Sequence, residues 1–293
     1  MNKTLLGLAS IALATHGHSA VLAYEGFGNA TDFGNVNGYT PSGAASSGLT
    51  GSYTLHQGTS TANTYLLHRP GAFVGINGGY QPNLDGSNQE WMEHNGWNLG
   101  RASVGLSSSL DLSTDGTYYM SFFSRAGGVD VVTQVGLTDG TDELMWGRGY
   151  GGAPTTKGIT AYYGTAGTDP ITNGDGTTFA TGSWNTLFYV ARLDKANSAT
   201  TDDLTVSIMI YNLSTDNTID SSDPASWVRT VGLTGVDNTF DELQFKLDGS
   251  GTWPSVDEIR LGNTWADVTG VPEPRFALLG GFGLLGLLRR RRG

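Results

Sequence analysis

DLTVSIMIY, residues 203–211, decides the fold. Leu204, Val206, Ile208 and Ile210 alternate with Thr205, Ser207, Met209 and Tyr211. Successive side chains of an extended chain point to opposite faces, so this period of two predicts an antiparallel strand with one face on a core and one toward water. DELQFKLD, residues 241–248, repeats the pattern, with Leu243, Phe245 and Leu247 set against Gln244 and Lys246. Working outward, VLAYEGF, TYLLHR, ASVGLS, TYYMSFFSR, VDVVTQVGL, ELMWGR, ITAYYG and TLFYVARL add shorter or more fully apolar strand candidates. No amphipathic helical spacing stands out in this stretch, and DG, NG and GG turns punctuate the strands. Ten or more such strands without a fixed repeat predict a single all-β domain, an antiparallel β-sandwich or barrel, over residues 21–269.

Composition agrees. Charged residues make up 15% of the 293, and there are 44 glycines, a balance that suits short strands joined by tight turns. Six of the 16 Lys and Arg lie in the two end segments, whereas 26 of the 27 Asp and Glu lie between them, so the middle carries a net charge of −16. Such a surface repels nucleic acid, which is not expected as a partner. There is no cysteine, which removes disulfides, thiolate catalysis and Cys-based zinc sites. A domain of about 250 residues is large enough to be stable on its core alone.

The two ends have other signatures. Residues 1–20, MNKTLLGLASIALATHGHSA, place Lys3 before an apolar run from Leu5 to Ala14 and a short polar segment ending at Ala20, the layout of a secretory signal peptide. At the other end, Phe276 to Leu288 is uncharged and is followed by Arg289, Arg290, Arg291 and Arg292. As a helix this stretch spans only about 20 Å against a bilayer core of about 30 Å. The arginines resist translocation and stay on the cytoplasmic side. The expectation is a short C-terminal hydrophobic helix that tethers the chain transiently to the inner membrane.

Val271, Pro272, Glu273 and Pro274, then the apolar run, then Arg289 to Arg292 resemble the PEP-CTERM sorting signal over residues 271–293. The resemblance implies an exosortase-type partner and delivery to the cell surface or extracellular matrix. Here Arg275 stands where many members carry a small residue. The two prolines leave an extended strip ahead of the membrane, a suitable protease substrate.

The body carries a second resemblance. VLAYEGF at its start, GLTDGTDELMWGRGYGG in the middle and VDEIRLGNTWADV at its end are similar to segments of concanavalin A-like (laminin-G-like) jelly rolls of bacterial surface proteins. That family implies two stacked curved sheets whose first and last strands pair.

The search for chemistry excludes more than it assigns. Two G-x-G-x-x-G matches, Gly147/Gly149/Gly152 and Gly281/Gly283/Gly286, open no helix of a βαβ unit, and the first is expected to be a mobile loop after ELMW. His56, His68 and His94 are scattered, and neither G-x-S-x-G nor a P-loop is present, against zincin, nucleophile-elbow and nucleotide readings. NQEWMEHNGW offers Glu90 and Glu93 as a carboxylate pair for glycoside hydrolysis, which needs two acids on either side of a sugar. Residues three apart on a strand face opposite ways, so that alternative requires a bulge.

Acid clusters suggest calcium instead. Asp139, Asp142 and Glu143 form one group; Asp216, Asp220 and Asp223 form a second, in a loop able to gather oxygen ligands. The competing reading of both is a set of solvated Asx-turns. Most tryptophans sit in or beside strands and fill the core, while Trp91, Trp97 and Tyr150 border Gly- and Asn-rich turns and suit a sugar-stacking platform. The sequence therefore predicts a non-catalytic exported protein that binds carbohydrate or exopolysaccharide through a β-sandwich. A polysaccharide-acting hydrolase and a purely structural coat protein are the alternatives.

Overall fold

The computed structural model describes residues 21–27, 36–43, 46–57, 65–70, 90–95, 99–127, 131–150, 157–167, 185–196, 203–215, 219–220, 222–249 and 253–270. The leader, the sorting motif with its apolar run and arginines, Trp97 and Asp216 lie outside the described residues, as do the side chains of Glu90, Trp91, Glu93 and Tyr150.

The strands are β1 (Ala23–Glu25), β2 (Ser46–Ser47), β3 (Leu49–Gln57), β4 (Tyr65–Pro70), β5 (Glu90–Asn95), β6 (Gly100–Asp111), β7 (Gly116–Arg125), β8 (Val132–Thr138), β9 (Asp142–Tyr150), β10 (Lys157–Thr165), β11 (Thr186–Lys195), β12 (Leu204–Asn212), β13 (Arg229–Leu233), β14 (Thr239–Asp248) and β15 (Ser255–Gly262). One short helix, α1 (Trp265–Thr269), follows. They form two antiparallel sheets. One runs β13-β12-β11-β7-β15-β1-β2, with β5 also on β15 and β4 on β5; the other runs β10-β9-β8-β14-β6-β3.

The two sheets enclose one apolar core. Leu204, Val206, Ile208 and Ile210 of β12 face Leu243, Phe245 and Leu247 of β14 through a shared cluster that includes Phe122, Trp146 and Tyr189. Phe122 stacks on Tyr189 at 4.8 Å and packs against Trp146 at 5.0 Å, so aromatic contacts tie the layers together. The chain's first and last strands pair, as the jelly-roll resemblance implies, with Ala23 opposite Leu261 and Glu25 opposite Ile259.

Two expectations change. The strands at 203–211 and 241–248 were expected to be half-buried, but Ser207, Tyr211, Gln244 and Lys246 are buried on the faces turned from the core. Each sheet therefore has a covered outer face. The first two glycines after ELMW are not a loop: Gly147 belongs to β9 and is paired with Gln134 of β8 and Thr160 of β10, and Gly149 is paired with Gly158 of β10, while Gly152 lies outside the described residues. Gly147 has φ +130, and a Cβ there would lie 2.4 Å from the Thr133 carbonyl oxygen, so only glycine fits.

α1 ends the domain with a capping box. Thr264 accepts from the Asp267 N–H at 3.3 Å, and the Asp267 carboxylate accepts from the Thr264 N–H at 2.9 Å. Gly270 closes the C-terminus in the left-handed conformation. Among the described residues no helix is long and apolar enough to cross a membrane.

Candidate functional site

The outer face of the six-stranded sheet gathers polar chemistry. Strand register sets Glu242, Gln244 and Lys246 of β14 in rows with Thr138, Gly136 and Gln134 of β8, and these with Glu143, Met145 and Gly147 of β9. Ser103 and Arg101 of β6 continue the rows on one side, Tyr162 and Thr160 of β10 on the other. Glycines pave the same face at Gly105, Gly136, Gly147, Gly149, Gly158 and Gly164. Gly136 is required: a Cβ there would fall 1.9 Å from the Leu144 carbonyl oxygen and 2.8 Å from Met145 Sδ. Without a side chain on the intervening strand, side chains of β9 and β14 meet directly.

Glu143 is the centre of that meeting and is 0% exposed. Its Oε1 accepts from Lys246 Nζ at 2.6 Å and from the Tyr162 hydroxyl at 2.9 Å, and its Oε2 accepts from Gln244 Nε2 at 2.8 Å. Lys246, also 0% exposed, donates a second bond to the Tyr162 hydroxyl. Arg101 reaches in from β6, placing Nη1 3.5 Å from Glu143 Oε2. A buried ion pair is tolerated only when further hydrogen bonds satisfy both partners, and Gln244 and Tyr162 supply them.

Toward β3 the face opens. Ser103 donates to Glu242 Oε2 at 2.6 Å, so the only proton left for the 2.6 Å contact with His56 comes from His56 Nε2. Partial burial, and then the nearby Arg101 charge, hold the His56 imidazole below its ordinary pKa, which keeps it neutral at pH 7. His56 is exposed and Glu242 half-buried. Arg101 Nε and Nη1 make no hydrogen bond. Gly167, just past β10, lies against the same guanidinium, 2.9 Å from an added Cβ to Nη1.

The sequence-stretch candidates are distributed differently. Asp139 caps its own turn, accepting from the Thr141 and Asp142 N–H groups at 2.8 and 2.7 Å, and Asn238 Nδ2 bridges Asp139 and Asp142 at 2.9 and 3.0 Å. This is the Asx-turn reading, and it separates both acids from Glu143. Asp220 accepts from the Tyr211 hydroxyl at 2.8 Å, while Asp223 accepts from Arg192 Nη1 at 2.5 Å and from the Tyr119 hydroxyl at 3.2 Å. Asp220 and Asp223 thus bond separate protein partners, and Asp216, the third acid of that group, lies outside the described residues. Among the described residues no group of three or more acids and histidines is placed to hold a metal.

The β4–β5 register runs from Glu90 to Asn95 without a bulge, and the side chains of Glu90 and Glu93 lie outside the described residues. Trp91 sits on β5 and Tyr150 ends β9. The residues the sequence reading passed over are Lys246, Gln244, Tyr162, Arg101, Ser103 and Glu242. The available signal was the polar half of DELQFKLD, which period-two logic assigns to water.

No protein-family model matches the chain. No curated protein matches it. Among solved structures, the T. cruzi calreticulin globular domain overlaps 86% of this chain and 91% of its own length at 8% identity and a TM-score of 0.47. The VIP36 exoplasmic/lumenal domain in its Ca2+/Man2-bound form overlaps 79% and 87% at 10% identity and a TM-score of 0.39. Alginate lyase Aly36B overlaps 71% and 96% at 11% identity and a TM-score of 0.34. These overlaps transfer no function, and the sandwich rests on the strand pairing itself.

Proposed function

We propose that this is an exported surface or matrix protein whose sandwich binds carbohydrate without cleaving it, at the open margin of the six-stranded sheet's outer face, toward β3. The observation that supports this reading is that margin, where the exposed His56 and the half-buried Glu242 meet through Ser103 beside the polar, glycine-paved layer. Sugar recognition needs fixed donors and acceptors on a floor that a ring can approach closely. The buried Glu143–Lys246 pair anchors Arg101 from beneath, and Arg101, His56 and Glu242 form the rim. Arg101 Nε and Nη1 are buried and make no hydrogen bond, and Nη1 keeps an ion pair with Glu143 at 3.5 Å, so Arg101 contributes fixed positive charge beside the margin. Trp91, Trp97 and Tyr150 remain proposed stacking residues, although Trp91 belongs to β5 of the nine-stranded sheet and Tyr150 ends β9 of the other.

Export belongs to the same proposal. The leader layout at residues 1–20 and the order of Val271 to Pro274, apolar run and arginines support secretion, transient tethering and handling by an exosortase-type enzyme.

The test is retention of the full-length protein on a panel of polysaccharides, the host's own included, with and without chelator, with reducing ends assayed in the same tubes. Retention without sugar release is the expected result. It should survive chelator, because Asp220 and Asp223 already have other partners. Release of reducing ends would replace the binding reading with an enzymatic one; neither retention nor release would leave a structural coat protein.

A further inference from the structure

The core itself holds a different anomaly. Ala23 and Glu25 of β1 share the face that packs into the core, and Glu25 is 0% exposed. Its carboxyl lies beside Phe27 and Tyr53, whose rings pack on each other and on Phe245 at 5.7 to 6.1 Å. Oε1 accepts from the Phe27 N–H at 2.7 Å and from the Ser46 hydroxyl of β2 at 2.8 Å. Oε2 makes no hydrogen bond of ordinary geometry, nor does the Tyr53 hydroxyl beside it, whose approach only partly offsets the burial.

Two more acids crowd it from β15. Asp257 and Glu258 are both buried and sit where β15 is bulged between Asp257 and Arg260. Asp257 Oδ1 accepts from the Glu258 N–H at 2.7 Å. Glu258 is answered on both oxygens, by the Tyr24 hydroxyl at 2.7 Å and Arg260 Nη2 at 2.9 Å. The groups facing the cluster are therefore Tyr24 on β1, Ser46 on β2, Tyr53 on β3, Tyr39 ahead of it, and Asp257, Glu258 and Arg260 on β15. Arg260 is the cation among them, and it is engaged with Glu258 and stacked over the Tyr24 ring at 5.3 Å.

A carboxylate in such a place loses its hydration without gaining a counter-charge, whereas a neutral carboxyl loses far less. We propose that β1 is a proton-dependent clasp: it stays docked between β2 and β15 while Glu25 and Asp257 retain a proton, and it undocks as that proton is lost. This inference is independent of the glycan-binding reading. The titration direction agrees. Burial pushes Glu25 up to about 7 and Asp257 well above the usual carboxylate range, where Glu258 adds to the effect.

The sign follows from linkage. For an acid whose docked-state value is raised, the stabilisation is complete below the undocked value and is lost as pH rises toward the docked one. For Glu25 the window runs from 4.5 to about 7.

The experiment is amide hydrogen exchange of the full-length protein from pH 5 to 8, corrected for intrinsic exchange, and read at β1 and at its partner segment of β15. The opening constant of β1 should rise between pH 5 and 7 by about tenfold per pH unit for each linked proton, the Glu25 share levelling off above 7 and the Asp257 share persisting. β11 and β12 should show no such slope. Glu25→Gln should stay docked at pH 8 with a reduced slope, and Asp257→Asn should independently reduce it. Flat wild-type protection at β1 would overturn the proposal, as would a full slope surviving in both variants. Should either variant fail to fold, the wild-type slope and the other variant still decide.

Discussion

The two outer faces of the sandwich are covered in opposite ways. On the nine-stranded sheet, Tyr119, Phe123, Phe188, Val190 and Tyr211 form an apolar layer under Trp265 and Val268 of α1 and under Ile219. Polar groups there act as pins at the margin: Ser121 donates to the Val268 carbonyl at 2.7 Å, Trp265 Nε1 to the Asp220 carbonyl at 2.8 Å, and Arg192 lies 5.1 Å from the Trp227 ring. On the six-stranded sheet the covered layer is ionic, built on Glu143, Lys246, Gln244 and Tyr162. The first arrangement is ordinary packing, which holds a helix on a sheet by excluding water. An ionic layer contributes less stability than an apolar one of the same shape. Among the described residues a fully buried ion pair lies on this face, whereas the Arg192 pairs with Asp194 and Asp223 on the other sheet are partly exposed.

The largest test removes one member of the ionic layer. Lys246→Met should leave Glu143 buried and uncompensated and cost about 3–5 kcal/mol, read by urea unfolding. The double change Glu143→Leu with Lys246→Met should recover most of that loss, and, if the layer anchors Arg101 for a ligand, should still abolish glycan retention. Recovery of both stability and retention would reduce the two faces to the same role.

Trp265→Ala should cost about 3 kcal/mol by opening the apolar layer under α1, with glycan retention unchanged once the protein is folded. A retention loss there would move the binding face to the other sheet. His56→Ala, on the exposed rim, should weaken retention about tenfold, or 1.4 kcal/mol, with little change in unfolding. The smallest effect is expected at the helix start, where Thr264→Ala removes a cap worth about 1 kcal/mol and loosens α1 alone.

The strands were legible because each records its own alternation. DLTVSIMIY names its core residues without reference to any other segment, and the structure buries the same four. The acid loops were legible only as far as local rules reach: Asp139 forms the Asx-turn its neighbours allow, but nothing near Asp223 in sequence announces Arg192. The ionic layer was not legible. In DELQFKLD, Gln244 and Lys246 occupy positions that alternation gives to solvent, and their partners lie far away, Glu143 at a separation of 103 residues from Lys246 and Tyr162 at 84. The burial of Glu25 was equally unannounced, since an acid in a three-residue strand carries no sign that it faces the core.

The sequence by itself determined the all-β class, the inward face of the best strands and the absence of cysteine chemistry. Those properties follow from period and composition, which are local, whereas the pairing of the body's two ends was implied only by the jelly-roll resemblance. Tertiary structure alone decided which polar residues are buried and with whom. Strand order β9-β8-β14 sets side chains of distant segments in one row, and a glycine at position 136 lets them touch across the strand between. Burial then gives those contacts their energy, because charge and hydrogen bonding count for most where water is excluded.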